Sequence, residues 1–325
     1  MEQRIRFEQT GGPEVLQWVE VDLPEPGPGE VRLRTQAAGL NFIDVYHRTG
    51  VYPAQLPSGI GVEGAGVIEA VGEGVTGFAV GDRAATFGPA LGSYATARNL
   101  KADSLFKLPE QIDSETAAAV LLKGCTVEFM VERAAKVQPG MTVLVHSAAG
   151  GVGQIAVGWL KGIGATVIGT VGHEAKVDKA RAVGCDHVLL SRGQEDVAAR
   201  VREITGGEGV PVVFDGIGKA TWEASLGATA RRGLIVSYGN ASGSVEGVKL
   251  ATLNQHGSLF VTRPKLFDYY VTPEERAAGA ARLFAMLEKG AVKPEIGQRF
   301  AIKDAAEAHR AIEGGQTTGS TILLP

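Results

Sequence analysis

The chain has 325 residues, enough for two domains with cores of their own. Apolar residues make up 44% and charged residues 21%, and the net charge is −4. That is the composition of a globular protein, with an acidic balance that disfavours a nucleic-acid partner. Two cysteines, Cys125 and Cys185, exclude a disulfide framework and suit a reducing cytoplasm. Met1–Phe7 has no apolar signal stretch, and no apolar run nears the roughly 18 residues of a membrane span, so no membrane role is expected. Glycine is abundant, 45 residues without a fixed period, which implies many tight turns and close backbone approaches.

The first third reads as strands and loops. Pro24-Glu25-Pro26-Gly27-Pro28-Gly29 is a turn or extended loop, and Val31–Ala37 alternates like a half-buried strand. Val62–Val71 and Phe78–Phe87 are apolar segments punctuated by glycine. Together they predict an antiparallel, β-rich domain. Asp113 or Ser114 is placed to cap a helix over Ala117–Leu122. A second helix is expected from about Thr126 to Lys136, ended by Gln138-Pro139-Gly140.

From Thr142 the rhythm changes. Strands are expected at Thr142–Ser147, Thr166–Thr170, His187–Leu190, Val210–Asp215, Gly233–Tyr238 and Ser258–Thr262. Helices are expected at Val152–Ile163, Lys176–Ala182, Glu195–Thr205 and Ala220–Thr229. This alternation is that of a doubly wound parallel sheet, an α/β fold. A helix over Pro273–Lys289 and a short β/α/β tail ending at Ser320–Leu324 follow. The tail is too small to fold alone and is expected to return to the first domain. The domains are therefore drawn as 1–125 completed by 265–325, and 126–264.

The strand Thr142–Ser147 runs into Ala148-Ala149-Gly150-Gly151-Val152-Gly153, a glycine turn opening a helix. Such a turn binds the pyrophosphate of a dinucleotide. Gly150 lets the backbone approach the phosphates, and Gly153 lets the helix pack close to the strand. The amides of Ala149, Gly151, Val152 and their neighbours meet the ligand at the positive end of the helix. An NAD site normally carries an acidic residue at the end of the second strand, on the ribose hydroxyls. Here that position falls on Thr170 or Val171 and is vacant. Gly172 leaves room for a 2′-phosphate, and Lys176 and Arg192 supply positive charge. These features favour NADPH. Glu174 reads as a surface residue at a helix start, and the plain alternative for Lys176 is a solvated lysine.

These motifs resemble the medium-chain dehydrogenase/reductase superfamily and, within it, the zinc-free NADPH:quinone oxidoreductases related to zeta-crystallin. The marks are Gly11–Leu16, Ala38–Asp44, Leu122–Thr126, Ala148–Gly153, Ser237–Asn240 and Thr262–Pro264, in order along nearly the whole chain. The resemblance implies a GroES-like catalytic domain and a Rossmann domain, with NADPH in the cleft between them. It also implies a homodimer, joined through the edge strand at 258–262. Zinc-dependent relatives hold their metal with Cys, His and Glu or Cys. At the matching positions this chain has Asn41, and Gly61-Val62-Glu63. Valine cannot ligate a metal, two cysteines cannot build a four-cysteine site, and no metal is expected. Glu63 then reads as a buried carboxylate with a hydrogen-bonded or charged partner.

Without a metal to stabilise an alkoxide, the suitable substrate accepts hydride readily and delocalises charge, as quinones and conjugated enones do. By resemblance, the segment holding Asn41, Asp44, Tyr46 and Tyr52 faces the nicotinamide. Asn41 can bond a carbonyl oxygen or the cofactor ribose. Tyr46 and Tyr52 can stack on a flat ring and donate a hydrogen bond, or serve only as loop anchors. Asp44 reads as a residue that orients the loop. The resemblance also assigns Thr126, at a helix start, to the nicotinamide or diphosphate. Tyr238 and Asn240 fall at the carboxyl end of the fifth strand, Phe260 near the nicotinamide and Arg263 near the phosphates. Cys125 reads as a small buried apolar residue. The function expected is NADPH-dependent reduction of a small-molecule quinone by direct hydride transfer, without metal or flavin. The alternatives are a reductase of α,β-unsaturated ketones or aldehydes, and a nucleotide-binding protein of RNA-binding or crystallin type with little catalysis.

Overall fold

The computed structural model describes residues 1–88, 90–193 and 195–325. Two compact units emerge: 1–123 with 272–280 and 294–325, and 124–271 with 281–293.

The first unit opens with β1 (Glu2–Phe7), β2 (Gln17–Val21), β3 (Glu30–Leu40), α1 (Phe42–Thr49), β4 (Ser58–Gly59), β5 (Glu63–Val71), β6 (Arg83–Phe87), β7 (Ala97–Lys101) and β8 (Leu105–Lys107). The long strand β3 alternates buried and half-exposed residues from Glu30 to Thr35. Its last four residues are buried on both faces, in the stretch where β5 pairs along one edge and the strand at 320–324 along the other. The helix α2 (Ser114–Glu128) follows. Asp113 caps it, its Oδ1 accepting from the Thr116 amide at 2.7 Å.

The sequence predicted a break between two helices near Gly124. Instead α2 runs unbroken through it and continues into a π-helical turn at Phe129–Ala134. Gly124 is there for contact, since a Cβ would sit 2.4 Å from Leu283 Cδ1. A glycine that reads as punctuation thus serves helix packing.

The second unit holds β9 (Thr142–Val145), α3 (Gly151–Gly162), β10 (Thr166–Val171), α4 (Val177–Ala182), β11 (His187–Leu190), α5 (Val197–Ile204), β12 (Val210–Asp215), α6 (Trp222–Ala228), β13 (Thr229–Ser237), α7 (Leu250–Gln255), β14 (Phe260–Thr262) and α8 (Leu266–Tyr269). Its six strands are all parallel, in the order β11-β10-β9-β12-β13-β14. That is the doubly wound Rossmann order, with β9 and β12 flanking the switch point where ligands bind. Leu144, Ile168, Leu189, Val213 and Ile235 of the sheet bury against Val197, Val201, Trp222 and Leu226 of α5 and α6. Each such apolar side chain contributes about 1.5–3 kcal/mol when fully buried.

The chain then forms α9 (Pro273–Glu288), β15 (Ile296–Ala301), α10 (Ala305–Glu313) and β16 (Ser320–Leu324). β16 pairs antiparallel with β3 and parallel with β15, completing a seven-stranded sheet. Ile302, Ala305, Ala308 and Leu323 share a core with Ile5, Phe7, Leu40, Ile60 and Tyr94. The sequence reading gave all of 265–325 to the first domain. Residues 265–271 and 281–293 instead belong to the second unit. There Leu283 meets Gly124, and Arg282 pairs with Glu132 at 2.7 Å.

Candidate cofactor and active site

The glycine turn follows β9 directly. Ser147 takes a left-handed conformation (φ 56°), Gly150 is the N-cap of α3, and the helix starts at Gly151. The first-turn amides of Gly151, Val152 and Gly153 have no acceptor within the helix, which leaves them for a ligand. A Cβ at Gly153 would lie 2.1 Å from Ser147 O, so only glycine lets α3 start this close to β9. The turn is pinned from below. Ala148 N donates to Thr170 O at 2.9 Å, and Gln154 Nε2 donates to Ala149 O at 2.9 Å.

Thr170, one of the two candidates for the vacant acidic position, is fully buried and turned inward. Its hydroxyl meets His146 Nδ1 at 3.0 Å, while His146 Nε2 meets Ser225 Oγ at 3.1 Å. Ser225 donates to Asp215 Oδ2 at 2.7 Å, which makes its oxygen an acceptor toward His146. His146 is therefore protonated on Nε2 and accepts from Thr170 at Nδ1. Burial lowers the His146 pKa, in keeping with a neutral ring. Asp215 also accepts from Ile217 N, Gly218 N and the Thr221 hydroxyl. This chain of polar groups under the sheet's carboxyl end was not read from the sequence, where nothing marks its members as partners.

Past β10 the cations converge. Arg192 Nη1 lies 3.4 Å from His173 Nε2, and Arg192 Nε would be 3.6 Å from a Cβ at Gly172. Burial lowers the Lys176 pKa, and the charges of Arg192 and Lys179 lower it further. Like charges held together in this way fit a polyanionic group, and Gly172 keeps the space beside them clear.

The remaining predicted residues fall in varied places. Tyr238 is half-buried with its ring against Gly216, and its amide donates to Asp215 O at 2.8 Å. Arg263 Nη1 donates to Ser237 O at 2.8 Å, and with the Asn240 amide turned to face it, Nη2 donates to Asn240 at 3.1 Å. The structure thus joins Asn240 and Arg263 at the end of β13. It does not bring Phe260 there. Phe260 pairs with Leu234, three residues before the end of β13, and is 59% exposed on the edge strand. Thr126 lies within α2, not at a helix start.

In the first unit, Asn41 caps α1 in a capping box with Asp44. Asp44 is fully buried and accepts from Asn41 N at 2.9 Å, Val62 N at 3.1 Å and Tyr94 Oη at 2.8 Å. Burial pushes its pKa up to about 7, against the pull of the Tyr94 hydrogen bond. It holds the loop. Asn41 Nδ2 donates to Glu63 Oε2 at 2.8 Å, and Gly39 O lies 3.4 Å from the same nitrogen. Both N–H groups point inward, and the amide oxygen, the acceptor of the capping box, has a second lone pair for a ligand. Glu63 is fully buried, and its Oε1 accepts from Leu122 N at 2.6 Å. Burial raises its pKa, opposed by Lys123, whose Nζ lies 3.6 Å from Oε2. Lys123 escaped sequence reading because a lysine inside a helix looks solvated.

Tyr46 and Tyr52 come together edge-on, with ring centroids 5.2 Å apart. His47 and Phe42 extend the aromatic group, at 5.7 Å from Tyr52 and 6.3 Å from Tyr46. Both tyrosines are half-buried. Among the described residues no three of His, Cys, Asp and Glu gather as a metal site. No helix among them is long and apolar enough to cross a membrane.

The Rossmann sheet, its glycine turn and the β-rich first unit define a nucleotide-dependent dehydrogenase or reductase. Residues 27–110 match the alcohol dehydrogenase GroES-like domain family, and residues 151–284 match the zinc-binding dehydrogenase family. The chain belongs to the medium-chain dehydrogenase/reductase superfamily and, within it, to the quinone oxidoreductases; it is an enzyme. It is 50% identical to a quinone oxidoreductase of Pseudomonas aeruginosa over the full length of both chains. It is 44% identical to a 2-haloacrylate reductase of a Burkholderia species, over 98% of this chain and 97% of that one. The crystal structure of Escherichia coli quinone oxidoreductase complexed with NADPH superposes with a TM-score of 0.96, at 44% identity, over 99% of this chain and 100% of that one.

Proposed function

We propose that this enzyme reduces quinones at the expense of NADPH, without a metal or flavin intermediary. The cation cluster around Gly172 carries the reading. It suits the 2′-phosphate that distinguishes NADPH from NADH, and a solved relative at 44% identity holds NADPH. When bound, NADPH supplies the hydride. The amides of Gly151, Val152 and Gly153 hold its pyrophosphate, and Lys176 and Arg192 hold its 2′-phosphate. Tyr238, Asn240 and Arg263 form the rim at the carboxyl end of β13, and Thr126 lines the nicotinamide side.

Asn41 accepts from the ribose through its amide oxygen, since its N–H groups are turned inward. Tyr46 and Tyr52 offer an aromatic face to a flat substrate. As phenols they donate hydrogen bonds to the oxygen on which charge develops. At positions 41 and 62 an amide and an aliphatic side chain stand where zinc relatives have ligands, so this electrostatic work falls to hydrogen bonds. The enzyme acts as a homodimer in the cytoplasm on this reading.

A second reading is reduction of an activated carbon–carbon double bond, favoured by the 2-haloacrylate reductase at 44% identity. Purified enzyme assayed with NADPH and NADH against quinones and enones decides between them. Quinol formed with strong NADPH preference supports the first reading. Saturated carbonyl product with no quinone turnover supports the second. Strong NADH preference overturns the cation-cluster argument.

A further inference from the structure

Glu63 and Asp44 are two fully buried carboxyl groups beside the Asn41 amide. The charged and titratable groups facing Glu63 are Lys123 from α2, Asp44 from α1 and Tyr94. Lys123 is the cation among them. It is 5% exposed, lies 3.6 Å from Glu63 Oε2, and its Nζ makes no hydrogen bond among the described residues. That distance is an ion pair without a shared hydrogen bond. Its worth is therefore electrostatic.

Glu63 accepts two N–H groups, from Asn41 and from Leu122. An ionised carboxylate accepts freely at both oxygens, whereas protonation turns one of them into a hydroxyl that must itself find an acceptor. An ionised carboxylate that is fully buried needs a neighbouring positive charge.

We propose that Lys123 is a positioning residue for the reaction: by keeping Glu63 ionised, it fixes the Asn41 amide with nitrogen inward and oxygen toward the cofactor. Without Lys123, Glu63 takes up a proton and presents a hydroxyl donor to Asn41. The amide then turns its oxygen inward to accept, and its N–H groups face outward where an acceptor is required. The inference rests on Asn41 contacting the cofactor.

The test uses the full-length enzyme with Lys123→Met, Lys123→Arg, Glu63→Gln and Asn41→Ala. The Kd of NADPH is read by fluorescence titration, and the Michaelis constants of NADPH and quinone are read separately. Thermal unfolding establishes that each variant is folded. Lys123→Met is expected to raise the NADPH Kd about tenfold or more, the scale of leaving a buried polar group unsatisfied. Its quinone KM should stay within about twofold, and Lys123→Arg should restore most of the affinity. Asn41→Ala combined with Lys123→Met should bind no worse than Asn41→Ala alone, because both act through one amide. Should Lys123→Met misfold, Glu63→Gln combined with Asn41→Ala runs the same comparison. Additive losses in either pair, or a folded Lys123→Met with unchanged Kd while Asn41→Ala weakens binding, overturn the proposal alone. An Asn41→Ala enzyme with unchanged Kd overturns the contact between Asn41 and the cofactor, and this inference with it.

Discussion

Gly153→Ala isolates what the glycine turn requires. The new methyl would stand 2.1 Å from Ser147 O and 2.8 and 2.9 Å from Ala148 Cα and C, all backbone atoms. No rotamer relieves such a clash, so the start of α3 must move from β9 by about 1 Å. Overpacking of this kind costs about 1–3 kcal/mol, and the better helix propensity of alanine returns up to about 1 kcal/mol. The net loss is about 1–2 kcal/mol, a fall in melting temperature of roughly 2–8 °C for a unit of this size. Because the moving segment carries the first-turn amides, NADPH affinity should fall about tenfold or more. Gly150→Ala is the internal control. Its methyl would meet Ser147 Oγ at 3.1 Å and Ser147 O at 3.2 Å, which small adjustments relieve, and its φ of −82° suits alanine. It should lose affinity for NADPH with a melting temperature within about 2 °C of the parent. Calorimetry and fluorescence titration measure both quantities. A Gly153→Ala protein that melts within about 1 °C of the parent and binds NADPH normally would refute the reasoning.

Lys176→Ala and Arg192→Ala should each lower kcat/KM for NADPH about tenfold or more while moving the NADH value less than about twofold, in steady-state assays with a common quinone. Equal losses with both cofactors would place these cations away from the 2′-phosphate. Asp44 is held near pKa 7 in the folded protein against an ordinary value of 3.8. Between those values the native state keeps a proton that the unfolded chain releases, so stability should fall as pH rises from about 4 to 7 and level off above. In Asp44→Asn that part of the slope should vanish, as read from urea midpoints at pH 5 and pH 8. Arg48 is 1% exposed and paired with Glu313 at 2.7 Å and 2.8 Å. Arg48→Met should cost about 2 kcal/mol in chemical denaturation, from the hydrogen bonds lost to Gly11 O and to Glu313, which is itself a third exposed and stays solvated; a loss under about 0.5 kcal/mol would count against that accounting.

The second unit was the more legible in sequence, and the reason is locality. Val210–Asp215 falls where its apolar run places it, because its last four residues are buried on both faces, and His187–Leu190 does so as a short apolar run on the sheet edge with Leu189 buried. The glycine turn and the missing acidic residue at the end of β10 are also contiguous features. Where reading failed, a distant partner decided the outcome. Gly124 became a packing contact because Leu283 returns to it.

The sequence by itself determined the parallel sheet, the dinucleotide turn, the preference for a phosphorylated ribose, and the substitution of Asn41 and Val62 at the ligand positions of zinc relatives. These are matters of residue type and spacing along one stretch of chain. Tertiary structure alone decided that Asn41 donates an N–H to Glu63 22 positions away, and that Glu63 faces Lys123. It alone decided that Thr170 turns inward to His146. Periodicity tells which face of an element is buried. Which polar group meets which, once water is excluded, depends on strands and helices that only folding brings together.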